Sequence, residues 1–194
     1  MQSVQSESTG LATLAAAAAG AHVTHVDASR KAVKWARENQ ALSQLADRSI
    51  GWLVDDAQSF VAREVRRGRT HDGLILDPPR LGHGPKGELW KVEESLPALL
   101  CQCRKLLSPS PLFVLLNTYT TVLTRGQITD EAAQLHSYLQ EILRDYPATL
   151  ASGELVLTDC ANRQISNSVF ARAHIRSQLL EIPEPWLAAH PQAH

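Results

Sequence analysis

Asp77-Pro78-Pro79-Arg80 is the stretch whose residue types and order point most directly to chemistry. It follows a continuous apolar run, Gly73-Leu74-Ile75-Leu76, of the kind that forms a strand buried on both faces. Two prolines fix two φ angles and remove two backbone donors, so the strand has to stop there. Its last carbonyls then point into whatever crevice lies beyond the sheet. A carboxylate and a rigid carbonyl in that place can hold an amine or a ring nitrogen of a planar substrate. The same residues also serve as a plain strand terminator, because Asp-Pro is common in turns.

Two other carboxylates end apolar runs. Asp27 closes Val23-Thr24-His25-Val26, where it can accept hydrogen bonds from the two hydroxyls of a ribose or cap the next helix. Asp56 follows Ile50 to Val54 and can accept the exocyclic amine of an adenine or, again, act as a cap; Asp55 competes for either role. The loop Leu81 to Glu88 is glycine-rich. With Arg80, His83 and Lys86 it offers cations to a phosphate backbone, or is an ordinary mobile loop. It is no Walker loop, since no Gly-Lys-Ser/Thr opens a helix there. The eight histidines show no metal-ligand spacing. Cys101 and Cys103 are one residue apart, which puts their thiols on different helix faces. No metal site is expected, and no Gly-x-Ser-x-Gly elbow is present.

The elements that must position these residues alternate. Val23–Asp27 reads as a strand, and Ser29 as the N-cap of a helix from Arg30 to about Ser43. Ile50–Val54 reads as a strand, and Ala57–Arg67 as a helix with Phe60, Val61 and Val65 inward and Gly68 at its end. Leu89–Leu107 is helical in pattern, with Pro97 interrupting it. Leu112–Leu116 is a second buried-strand run, ending at Asn117. Gln127–Tyr146 is a long helix. Glu154–Thr158 and Ser168–Ile175 read as two strands joined by a polar turn. Strands alternating with helices predict a doubly wound, Rossmann-like α/β sheet, mainly parallel, with an antiparallel C-terminal strand pair. Ligands of such sheets bind at the carboxyl ends of the strands, where Asp27, Asp55, Asp56, Asp77 and Asn117 lie.

The bulk composition allows this. The chain of 194 residues is 44% hydrophobic and 20% charged, as a globular domain is. A net charge of -1 gives no broad basic field, so any RNA contact has to come from a local patch. Three cysteines leave one unpaired in any intramolecular scheme and suit a reducing cytoplasm. Leu11 to Ala19 is apolar, but Glu7 stands where a signal peptide carries positive charge. No run is long enough to span a bilayer.

The order of these residues resembles the bacterial class I S-adenosylmethionine-dependent methyltransferases of the large-subunit ribosomal RNA group that carry an Asp-Pro-Pro motif. The stretches that carry the resemblance are Thr9-Gly10-Leu11-Ala12, Val23 to Ser29, Trp35 to Asn39, Asp55-Asp56-Ala57 and Asp72 to Pro79. The resemblance implies S-adenosylmethionine as cofactor and RNA as partner. Thr9 and Gly10 would approach the methionine part of the cofactor, Asp27 with Ser29 the ribose, and Asp56 the adenine. Asp77, Pro78 and Pro79 would line the transfer site, with Asp77 also near the cofactor. Arg80, Lys86 and Asn117 would meet the substrate. Positioning of an already activated methyl supplies most of the rate.

Two departures from that pattern shape the expectations. Members that methylate carbon 5 of cytosine use a cysteine near the end of the strand that here is Leu112–Leu116, and this chain has Asn117-Thr118-Tyr119-Thr120. A nitrogen, or another acceptor, is therefore expected rather than carbon 5 of cytosine. Ahead of the Thr-Gly loop stands the polar Met1 to Ser8 where the family has an apolar central strand. The first central strand is accordingly expected to be missing or degraded, the chain N-terminally truncated, and the domain to span 9–177 between flexible tails at 1–8 and 178–194. A catalytically incomplete remnant or binding module is one competing reading. A nicotinamide-dependent Rossmann enzyme is another, but Gly10 stands alone before an alanine run where that class has three glycines.

Overall fold

A computed structural model describes residues 2–5, 9–84, 87, 89–119 and 125–175; at 2–5, 125–127 and 165–167 only the backbone is described. Its elements are β1 (Gln2–Gln5), α1 (Leu11–Ala18), β2 (Val23–Asp27), α2 (Arg30–Leu42), β3 (Ile50–Val54), α3 (Ala57–Arg66) and β4 (Gly73–Asp77). Next come β5 (Leu81–His83), β6 (Leu89–Lys91), α4 (Val92–Arg104), β7 (Phe113–Tyr119), α5 (Arg125–Ile142), β8 (Ala148–Thr158) and β9 (Gln164–Ile175).

Seven strands form one sheet in the order β3-β2-β1-β4-β7-β9-β8, and β5 with β6 forms a separate two-stranded hairpin. β1 through β4 and β7 run parallel, while β9 is antiparallel to both β7 and β8. The chain winds outward through β2 and β3 on one side of β1 and through β4 and β7 on the other. The switch in strand order therefore falls between β1 and β4, where a crevice opens at the carboxyl ends.

The expected doubly wound sheet with an antiparallel C-terminal pair is thus observed. One expectation is corrected. The first central strand is not missing: Gln2–Gln5 pairs with β2 at Gln2–Val4 and with β4 along its whole length. Polar side chains make a poor strand in isolation, but two parallel neighbours with backbone donors and acceptors to satisfy outweigh that weak preference. The sheet therefore includes residues ahead of position 9.

Helices cover both faces. Phe60 and Val61 of α3, Leu96, Leu99 and Leu100 of α4, and Leu135 and Leu139 of α5 join Leu74, Leu76, Val114, Leu116 and Val169 in one large core. The cluster involving α1 is Ala16, Ala17 and Val23. Alternation along β2 divides its side chains between the faces, Val26 entering the large core and Val23 the small one. Pro97 does not interrupt α4; the helix runs through it, giving up one backbone bond while its apolar face stays packed. β8 and β9 are longer than the apolar runs alone predict, because they pair with each other along nearly their full length.

Candidate active site

A cleft of about 770 Å³ opens at the carboxyl ends of the strands. Its walls bring together Asp27 and Ser29 after β2, Asp55 and Asp56 after β3, Pro78 to Arg80 after β4, and Tyr119 at the end of β7. The β5–β6 hairpin contributes Leu81, Gly82, His83 and Trp90. Val26, Ala28, Ala57 and Leu99 give the cleft an apolar bed between these polar groups.

Each expected residue has a definite local setting. Asp27 is buried, and its Oδ1 accepts the backbone N–H of Ser29 at 2.6 Å. Ser29 caps α2, its hydroxyl accepting from Ala32 N–H at 3.2 Å. Asp56 caps α3 by accepting from Ser59 N–H at 2.8 Å, and it also lines the cleft, so the cap does not withdraw it from the site. Asp55 is committed elsewhere, to Arg63 Nη2 at 2.6 Å. Gly10 sits just before α1 at φ 78°, and a Cβ there would stand 2.7 Å from the Ala36 Cβ. A glycine is required on both counts. The Thr9 carbonyl accepts from Asn39 Nδ2 at 2.9 Å, which ties this loop to α2. Thr9 and Gly10 follow the carboxyl end of β1 but are outside the residues that line the cleft.

Asp77 is 7% exposed and lies behind the cleft wall. Asn117 Nδ2 donates to its Oδ1 at 2.9 Å, and the Tyr119 hydroxyl donates to its Oδ2 at 3.3 Å. Burial raises the carboxyl pKa above its ordinary value; the bonds from Asn117 and Tyr119 pull the other way but are the smaller effect. A rigid carbonyl at the end of β4 was expected to face a substrate. The Pro79 carbonyl instead accepts the Trp90 indole N–H at 2.7 Å. Arg80 is engaged as well, with Glu93 at 2.8 Å and Glu131 at 3.2 Å, and Thr118 Oγ1 donates to Glu131 at 3.1 Å. Lys86 lies outside the described residues.

Trp90 and Tyr119 were not singled out from the sequence. A signal for Tyr119 existed: strand alternation puts positions 117 and 119 on one face, so the residue two beyond Asn117 had to point the same way. Trp90 gave none, because its apolar neighbours suit a helix and β6 is only three residues long. Among the described residues no cysteine lines the cleft. Cys101 and Cys160 are exposed, and burial pushes the Cys103 thiol up to about 12. No cluster of metal-ligating side chains occurs among the described residues.

No family model matches the chain. A crystal structure of a SAM-dependent methyltransferase from Agrobacterium tumefaciens superposes with a TM-score of 0.79 at 40% identity, over 89% of this chain and 55% of that one. The fold is that of a class I S-adenosylmethionine-dependent methyltransferase. Magnesium protoporphyrin IX methyltransferase from Synechocystis, solved with bound SAM, shares this methyltransferase fold at 16% identity and a TM-score of 0.55, over 91% of this chain and 70% of that one. In sequence, the ribosomal RNA large subunit methyltransferase I of Shewanella frigidimarina is 36% identical over 73 residues, 37% of this chain and 18% of that protein. The chain thus spans about half of the Agrobacterium protein, and its match to the Shewanella protein covers under a fifth of that relative. Among the described residues no helix of this methyltransferase fold is long and apolar enough to cross a membrane.

Proposed function

We propose that the chain is an S-adenosylmethionine-dependent methyltransferase that acts on RNA, with a nitrogen as acceptor. The observation that carries this reading is the single cleft joining Asp27, Asp56 and the Pro78-Pro79 turn beside the switch in strand order. Its volume is in the range of sites for nucleoside-sized ligands. The residues fit the cofactor: a buried carboxylate at the end of β2 suits ribose hydroxyls, and Asp56 beside Ala57 and Leu99 suits the amine and face of an adenine. RNA as substrate is supported by the relatives whose names state ribosomal RNA, and nitrogen as acceptor by the absence of a thiol from the cleft among the described residues.

S-adenosylmethionine supplies a methyl group already activated by its sulfonium. The protein's task is then to orient an acceptor and exclude water. Asp77 stands behind the turn, outside the residues that line the cleft, and acts on the acceptor through the Tyr119 hydroxyl that it holds in place.

Calorimetric titration with S-adenosylmethionine, S-adenosylhomocysteine and NAD tests this reading. Saturable binding of the first two, weakened in Asp27→Ala, is expected. A folded sample that binds none of them makes the chain a methyltransferase-fold remnant, and binding of NAD alone makes it a nicotinamide enzyme. Asp77→Ala should keep cofactor binding and lose methyl transfer; unchanged transfer removes Asp77 from the site.

A further inference from the structure

We infer that the outer face of α2 is a surface for single-stranded RNA outside the cleft, on which Lys31, Lys34 and Arg37 meet backbone phosphates and the Trp35 indole stacks on one base. The inference rests on the proposed reading of RNA as substrate and names the surface that holds it.

α2 starts at the rim of the cleft. Its cap, Ser29, is a cleft wall, and the helix runs on for 13 residues, about 20 Å. The buried side is Ala32, Val33 and Ala36. The other side carries Arg30, Lys31, Lys34 and Arg37, all exposed. Four cations less one carboxylate, Glu38, leave the helix a charge of +3 on a chain whose net charge is -1. Arg30, Lys34 and Arg37 form one row with neighbours about 5–6 Å apart, and Lys31 and Trp35 lie in the row beside it.

Charged residues commonly do no more than solvate a helix, but three features go beyond that. First, these cations are uncommitted. Arg63 holds Asp55 at 2.6 Å and Arg67 holds Glu64 at 2.9 Å, whereas among the described residues Arg30, Lys31 and Arg37 hold no carboxylate. Lys34 reaches Glu38 only at 3.8 Å, with both side chains mostly exposed. Second, Arg30 and Lys31 stand in the first turn with no acid beside them, where the helix dipole disfavours cations. Third, Trp35 is 51% exposed and makes no hydrogen bond or ring contact among the described residues. A basic track with an open aromatic ring is what a single strand requires, since its bases offer free faces and its backbone offers charge.

The cleft itself is a poor place for phosphates. Asp55 and Asp56 line it, and Arg80 is engaged by Glu93 and Glu131. A strand whose target enters the cleft therefore finds its counter-charge on the helix that starts at the rim. A bilayer is a poorer match, because the apolar side of α2 is buried in the fold.

The test uses the full chain with saturating S-adenosylhomocysteine, and follows short oligo(A) RNA and an RNA duplex of the same length by fluorescence anisotropy over a series of KCl concentrations. The single strand should bind more tightly than the duplex, and less tightly as salt rises. Lys31→Gln, Lys34→Gln and Arg37→Gln combined should flatten the slope of log affinity against log salt by about 2, at roughly 0.7 per phosphate contact. Trp35→Ala should weaken binding roughly fivefold to a hundredfold at every salt concentration with the slope unchanged, and Trp35→Phe should recover most of the loss. Lys105→Gln, an exposed cation following α4, should alter neither. S-adenosylhomocysteine affinity, read by calorimetry, should be the same in all variants. The inference is overturned if the triple variant keeps the parent's affinity and slope, if Trp35→Ala binds as the parent does, or if the duplex is preferred. It is also overturned, with the methyltransferase reading intact, if the parent binds S-adenosylhomocysteine but no RNA; capture by phosphatidylserine vesicles in that case makes the face a membrane surface. RNA binding that responds as expected in a chain that takes no S-adenosylhomocysteine keeps this surface and removes the methyltransferase reading.

Discussion

Between α3, α4, α5 and the strands β4, β7 and β9, large side chains such as Leu76, Leu99, Leu116 and Leu139 are at most 1% exposed. Between α1 and β2 the corresponding cluster is two alanines and a valine. Among the described residues the layer between α1 and β2 is therefore held by fewer apolar atoms and several specific contacts. Gly10 lets α1 approach Ala36, Thr13 Oγ1 meets His25 Nδ1 at 2.9 Å, and Asn39 holds the Thr9 carbonyl. The half that carries Asp77 and Tyr119 rests on the large core. The large core and the layer around α1 are thus unlike parts of one domain, and the thin layer is expected to open first.

Four measurements can break or sharpen that contrast. The largest effect belongs to the large core. Leu139→Ala should cost about 2–5 kcal/mol in urea denaturation, because a fully buried leucine leaves a cavity. A loss below about 1 kcal/mol, within the range of an ordinary surface change, would mean that the core does not carry the fold.

His25 comes next. It is fully buried against Thr13 and the Trp52 ring, and burial lowers its pKa from 6.5 to about 4. The folded state therefore disfavours the protonated imidazole. Its stabilisation is complete above pH 6.5 and is lost as the pH falls towards 4, an effect of up to about 3 kcal/mol. Stability measured across that window should fall in the parent and stay flatter in His25→Gln. Equal slopes would sink the assignment.

Gly10→Ala should cost about 1–3 kcal/mol through left-handed backbone strain and the contact with Ala36. Hydrogen exchange should quicken in α1 and α2 but not in α5. Uniform quickening would show that the two halves open together.

The smallest effect is expected at Arg80→Met. The Arg80 ion pairs are partly solvated, so the change in stability should stay near or below about 1 kcal/mol by thermal denaturation. A larger loss would place the network among the elements that hold the acceptor half together.

Much of this arrangement was legible before any fold was known. The apolar runs ending at Asp27, Asp56 and Asp77 predicted three strand ends, and alternation of element types predicted that those ends share one edge. The Ser29 cap followed from a hydroxyl ahead of a helical pattern. β1 was not legible, since Gln2–Gln5 carries no strand signal of its own and is a strand because β2 and β4 need its backbone. Trp90 was hidden for a related reason. The β5–β6 hairpin exists through cross-strand pairing and the bond to Pro79, neither of which leaves a local pattern.

By itself, then, the sequence determined the alternating α/β class, the strand-end carboxylates and the stop at Asp77-Pro78-Pro79, because each depends on residues within a few positions of one another. Tertiary structure alone decided that Asn117 and Tyr119 clasp Asp77, that Trp90 occupies the Pro79 carbonyl, and that Arg80 is held by Glu93 and Glu131. Those pairings join residues 11 to 51 positions apart. A carbonyl, a carboxylate or a guanidinium has its partner fixed by where the chain returns in space, which no local spacing encodes.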